Sequence, residues 1–340
     1  MASRLRRALA NRRSEATIVA AAIVVLVGIG GVAAGVAFTS GGSKATAAAP
    51  SSTITTTLTP LTTPTTLVPT TTLAPTAPIT PDASRLISDT CRYSHEANDD
   101  PILMPDQTGR AMAHDFFGNI TTSASSTASS LLGGTTSCST SGDASAYWTP
   151  VLYQDGQAIT PTRNLIYWSG LHATDPAVSA PPAGLDMIAG NENAMAPQST
   201  KVVGWRCASL LPQAVSATPV DCAGTNGLEV RIIFPSCWDG TTLNGATQTN
   251  VAYPDGAHCP AGYPVRIPVV IFHVVYPITS DIGLTLSMGP GQQGSTDTAH
   301  GDFINGWNQS VLAGLIDGCA GPARTCGHVT GANAVVHPRV

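Results

Sequence analysis

The chain has 340 residues, a formal net charge of −5 and eight cysteines, which is room for one large domain or two small ones. Six of its sixteen basic residues and one of its twenty-one acids precede residue 80, so the remainder carries ten bases against twenty acids. No basic patch or stripe is left there, which excludes nucleic acid as a partner and argues against strongly anionic polymers as unaided ligands.

Residues 1–16 hold five arginines and read as a basic cytoplasmic tail. Thr17 to Phe38 follows without a charge, and an apolar run of this length spans a bilayer as a helix. The arginines in front and the lone Lys44 behind leave the N-terminus in the cytoplasm and send the rest across. The run is longer than the apolar stretch of most secretory signals, which favours a retained membrane anchor. A cleaved signal ending near Ala45-Thr46-Ala47, and hence a secreted chain, is the alternative.

Residues 39–82 are dominated by Thr and Pro. Such a segment cannot bury enough apolar surface to offset chain entropy, and it favours extended conformers. It reads as a semi-rigid stalk with a reach on the order of 100 Å, enough to carry a domain into or through a cell wall.

Residues 83–340 form the extracytoplasmic domain. All eight cysteines lie here: Cys91, Cys138, Cys207, Cys222, Cys237, Cys259, Cys319 and Cys326. An even number without a CxxC pair, beyond a membrane, points to four disulfides rather than a zinc ribbon. Pairing of neighbours in sequence order is expected, with Cys319–Cys326 its most secure member.

Strand-like runs appear at Tyr147–Tyr153, Asn164–Trp168, Leu185–Ala189, Val202–Cys207, Leu228–Phe234 and Val265–Tyr276, each bounded by Gly, Pro, Asn or Asp. In LEVRIIF the polar Glu229 and Arg231 alternate with Leu228, Val230 and Ile232, the pattern of a half-buried strand. Pro268 marks an edge or a bulge. Phe303, Trp307, Val311, Leu315 and Ile316 recur about once per turn and predict a helix, with Asp302 as N-cap and Gly318 as stop. Strands without regular βαβ alternation make the domain mainly β: a β-sandwich or jelly-roll-like fold with at least one C-terminal helix.

Several strings also carry a resemblance. HDFFGN (His114–Asn119), SAYWTPVLY (Ser145–Tyr153), GLDMIAG (Gly184–Gly190), FPSCWDG (Phe234–Gly240), VAYP (Val251–Pro254), CPAGYPVRIP (Cys259–Pro268) and HGDFINGW (His300–Trp307) occur in this order. Together they resemble the domain-of-unknown-function family DUF1996 over roughly residues 90 to 320. The resemblance implies a secreted or surface protein in the company of carbohydrate-binding modules, hence work on polysaccharide or the cell wall, and it implies no reaction. One position departs. Relatives commonly carry a second histidine two places before the HDFFGN string, where this chain has Met112, so a simple His-x-His metal site is not expected.

His114-Asp115 and His300-Gly301-Asp302 are the candidate catalytic residues. Histidine titrates near neutrality, and a carboxylate beside it orients and charges it. The turn at Gly118-Asn119 would present the first pair; a helix N-terminus would present the second. If the pairs meet across a shared open cleft, they form an acid/base centre or a two-histidine, two-carboxylate set. That set suits zinc or manganese and makes a divalent metal the one cofactor these residues admit. The alternative is structural: a backbone-bonded core histidine and a capping aspartate.

Tyr147, Trp148, Asn119, Trp238, Asp239 and Tyr253 are the candidate sugar-binding residues, because aromatic faces stack on sugar rings while polar ends bond hydroxyls. Core packing of the aromatics and a turn at Asp239-Gly240 are the competing roles. No phosphate loop, dinucleotide fingerprint, HExxH or GxSxG is present. Three functions remain open: binding or processing of envelope or other polysaccharide, a metal-dependent hydrolase or lyase centred on the His–Asp pairs, and a structural or adhesion module.

Overall fold

The computed structural model describes residues 86–171, 178–209, 213–320, 326–330 and 335–337. The basic tail, the apolar run 17–38 and the Thr/Pro stalk lie outside the described residues. Among the described residues, no helix is long and apolar enough to cross a membrane.

In chain order the strands are β1 (Ile87–Ala97), β2 (His114–Gly118), β3 (Ala146–Pro150), β4 (Leu152–Gln154), β5 (Gln157–Ala158), β6 (Arg163–Ser169), β7 (Asp186–Gly190), β8 (Val203–Cys207), β9 (Leu228–Ile233), β10 (Cys237–Trp238), β11 (Val251–Ala252), β12 (Val265–Arg266), β13 (Val269–Tyr276), β14 (Leu284–Gly289), β15 (Gln292–Gly294), β16 (His300–Ile304), β17 (Gly327–Thr330) and β18 (Val335–His337). Two helices accompany them, α1 (Ala128–Leu131) and α2 (Gln309–Ala320), with a 3-10 turn at Thr296–Thr298.

The domain is mainly β. Its largest sheet runs β7-β16-β3-β2-β1-β6-β13-β9-β8, with β17 on the flank of β1. Every pair along that path is antiparallel. β1 belongs to two layers. Ile87 to Arg92 pair with β6, and from Tyr93 onward the strand pairs with β2 after a register shift between Tyr93 and His95. A strand that changes sheets through such an irregularity makes the corner of a sandwich.

The inner faces of the two layers meet through aromatic rings. Tyr147 of β3 lies 5.6 Å from Phe272 of β13, and Phe303 of β16 lies 5.8 Å from Trp168 of β6. Each such ring is fully buried, and burial of a large apolar side chain is worth about 1.5–3 kcal/mol. In β9, Leu228, Val230 and Ile232 turn inward as their alternation predicts.

The layer made of β2, β3, β16 and β7 is covered on its outer face as well. There Ile102 and Leu131, from the segments after β1 and β2, close over Phe116, Ala146, Trp148, Ile188 and Ile304. Every residue of β2, β3 and β16 is therefore buried. Polar groups in these strands have no route to water and must find partners inside.

Four disulfides join Cys91–Cys138, Cys207–Cys222, Cys237–Cys259 and Cys319–Cys326, and none of the eight cysteines is free. The pairing follows sequence order. Four bridges mark a domain that folds outside the reducing cytosol.

Three expectations need correction. The helix starts later than predicted: residues 300–304 are strand, and α2 is capped by Asn308, whose Oδ1 accepts from the N–H groups of Ser310 and Val311. Asp302 therefore caps nothing. The run Tyr147–Tyr153 is two strands that part at Val151 and join different sheets. HDFFG is a strand that ends at Gly118 in left-handed backbone, Asn119 makes an isolated bridge to Thr136, and the chain turns only after it.

Candidate functional site

The site grows from strand register. Opposed residues in neighbouring strands project to one face. His114 stands opposite Pro150, Trp148 stands opposite Phe116 and Asp302, and His300 stands opposite Gly190. His114, His300 and Asp302 thus share the outer face of the doubly covered layer, with β3 between the two histidines. Strands two apart are separated by about 9.6 Å, yet the imidazole centroids are 5.8 Å apart, edge to face. The rings lean toward each other over β3.

Each ring is held by its other nitrogen. His114 Nδ1 donates to the carbonyl of Asp99 at 2.9 Å, and His300 Nδ1 donates to that of Thr298 at 2.8 Å. A carbonyl only accepts, so both neutral rings keep their proton on Nδ1 and present a bare Nε2 lone pair. Asp302 Oδ2 lies 3.6 Å from His300 Nε2. One ligand atom from each of the three residues falls within 4.8 Å of the others. Both Nε2 atoms and both Asp302 oxygens are buried and have no hydrogen-bond partner among the described residues, as is also true of Trp148 Nε1.

Burial governs the charges. It lowers His114 to about 3, with His300 adding to the effect, and it lowers His300 as well. It raises Asp302 well above the carboxylate range, and the charges of Asp100 and Glu192 push the same way. Asp100 is raised by burial too, although its Oδ1 accepts from the N–H groups of Ile102 and Leu103. Segment 99–103 roofs the cluster. It is pinned by the Asp99 carboxylate, which accepts from Gly109 N–H and Ala124 N–H.

The family model described as "Domain of unknown function (DUF1996)" matches residues 100–307. The chain belongs to the DUF1996 family. No curated protein and no solved structure matches the chain.

In this DUF1996 domain the remaining candidates separate. Asp115 turns to the opposite face from His114, opposite Thr149 and Glu96. It acts on Tyr93, Tyr153 and Tyr276 and takes no part in the cluster. The expected open cleft does not form either, because His114 and His300 are each only 1% exposed. Asp100, whose charge acts on Asp302 and His300, was not read as a neighbour of the cluster, since no periodicity links it to His114 or His300.

Three candidate sugar contacts are interior groups. Asn119 is fully buried; its Nδ2 donates to the carbonyl of Leu131 and its Oδ1 accepts from Thr121. Tyr147 donates its hydroxyl to Asp143 at 2.7 Å within the core. Trp148 stacks on Phe116. Asp239 is a turn residue that accepts from the N–H groups of Thr241 and Thr242, and Trp238 Nε1 donates to the carbonyl of Thr242.

Tyr253 differs. Its hydroxyl donates to the carbonyl of Ile233 at 2.8 Å while 41% of the residue stays exposed. Burial raises the phenol pKa. It borders an open groove of about 270 Å³ that also takes in Asn191, Gln198, Gln248 and Val251, with no acidic or basic side chain in its lining. Gln248 holds a left-handed backbone, φ 52°. Such conformations in residues other than glycine cluster at functional sites.

Groove and cluster share a wall. Gln198 Nε2 donates to the carbonyls of Asp297 and Ala299, which flank the Thr298 that anchors His300. A second groove, about 620 Å³, lies against the first turn of α2 and is lined by Ser141, Asn308, Ser310 and Val311 among others; it has no aromatic or charged side chain.

Proposed function

We propose that the domain binds a neutral polysaccharide of the cell envelope or another source, at the groove bordered by Tyr253. The observation that carries this reading is the state of Tyr253: a ring fixed by its own hydroxyl and still exposed over a charge-free groove. A ring immobilised before binding loses little entropy when a sugar stacks on it. Amide side chains around it offer donors and acceptors without charge. The acidic, Lys-poor composition beyond the stalk supports a neutral rather than anionic polymer.

The test is a glycan array probed with the full chain and with Tyr253→Ala. Neutral glycans should retain the wild type, and the variant should lose at least tenfold in affinity while melting like the wild type. Absence of neutral-glycan binding, or equal binding by the variant, would reject the reading and leave a structural or adhesion module. The hydrolase or lyase alternative centred on the His–Asp pairs has less support. A cluster 1% exposed at both histidines offers a substrate no approach.

A further inference from the structure

We propose that His114, His300 and Asp302 form a sealed site for a resident divalent first-row transition metal ion, of which zinc is the type. The inference is independent of the glycan reading.

Four buried polar atoms converge there without a hydrogen-bond partner among the described residues: the Nε2 atoms of both histidines and the two oxygens of Asp302. A buried polar atom left unpaired costs roughly 1–3 kcal/mol, so four at one point call for an occupant. Two imidazole lone pairs and a carboxylate at one point are best met by an electrophile. A trapped water supplies only two hydrogens and no charge; a dication supplies both what the lone pairs and what the carboxylates lack.

The donor set selects the class of ion. Two imidazole nitrogens and a carboxylate suit zinc, manganese, iron, cobalt or nickel, whereas calcium and magnesium prefer all-oxygen sets. Thiolates play no part, because all eight cysteines are bridged. The outer arrangement fits as well. A metal-binding histidine nearly always donates its other N–H to a carbonyl or carboxylate, which fixes ring and tautomer, and both rings do so here. The three ligand atoms now lie within 4.8 Å of one another; donors about 2 Å from a single ion stand somewhat closer. Binding would therefore draw the side chains of β2 and β16 together across β3. The site is structural, tying β2 to β16 behind the groove wall.

The experiment uses the full chain, tag-free, folded in an oxidising compartment and purified without chelator. Elemental analysis should find stoichiometric transition metal. Chelation should empty the protein and lower its melting temperature, and added zinc should restore it. Cobalt substitution should give visible d–d absorption bands. The near-isosteric Asp302→Asn protein should stay folded by circular dichroism and lose metal at least tenfold more readily. The proposal is overturned if folded wild-type protein carries no metal and neither its melt nor its spectrum responds to zinc or cobalt. It is equally overturned if Asp302→Asn retains metal as the wild type does. Should that variant fail to fold, the wild-type metal content and cobalt spectrum decide alone.

Discussion

At the scale of single residues, two glycines on the strands that carry the cluster leave little room for a side chain. Gly118 ends β2 with φ +79°, and a Cβ there would fall 2.1 Å from the carbonyl oxygen of Ser145. Gly301 has ordinary backbone, and its Cβ would meet ring atoms of Phe272 at 3.0 and 3.1 Å and the end of Ile232 at 3.2 Å. Backbone cannot yield as a side chain can. Gly301→Ala should cost about 1–3 kcal/mol, the usual range for overpacking a core. Gly118→Ala should cost more, because it combines a backbone clash with a left-handed conformation. Denaturant titration of both variants checks the order, and a Gly118→Ala protein as stable as Gly301→Ala would contradict it.

At the scale of elements, β1 carries one carboxylate of a titrating pair into the core. Asp89 faces inward from this strand, accepts from Ser139 N–H and the Ser139 hydroxyl, and lies near Asp143. Burial raises Asp89 to about 8, with Asp143 adding to the effect, and raises Asp143 to about 6. Burial likewise raises Asp186 of β7 to about 7. Each folded value exceeds the unfolded 3.8. The folded chain thus holds protons that the unfolded chain has released, and stability falls as pH rises through this range. Below about 6.5 the buried histidines oppose the trend, since their folded values are lowered and the unfolded rings take up protons. Between pH 6.5 and 8 the carboxylates act alone. The melting temperature should fall across that window, and Asp89→Asn should shrink the fall. A melting temperature that rises from pH 6.5 to 8 would show that the carboxylates are ionised in the fold.

At the scale of the whole molecule, the four bridges close loops of unequal length. Cys91–Cys138 spans 47 residues and Cys319–Cys326 spans 7. Loop-closure entropy assigns about 4 kcal/mol to the first and about 2 kcal/mol to the second. The longer bridge also ties β1, the strand common to both layers, to the segment leading into β3. Replacing Cys91 and Cys138 by Ser should therefore lower stability more than replacing Cys319 and Cys326. Thermal melts of the two double variants test this, and the reverse order would mean that native packing outweighs chain entropy at these loops.

Sequence alone determined the local chemistry: the strand content, the inward face of LEVRIIF, the later turns of α2 and that the cysteines are bridged, whereas which cysteine meets which was decided by the fold. These follow from period-two or period-3.6 patterns and from compartment, which act between near neighbours. His114, His300 and Asp302 were legible as candidates because each is an unusual polar residue in an apolar string. Their grouping was not legible, and neither was the separation of Asp115 from His114. Strand order across β3 brings residues 114 and 300 to one face, and the second cover of that layer seals them. A strand buried on both sides loses its polar–apolar alternation, which is why HDFFG was not read as a strand and HGDFI was read as the start of a helix. Exposure sorted the aromatics for the same reason: Tyr147, Trp148 and Tyr253 are alike in sequence, and only the packing of distant segments decided that Tyr253 faces water.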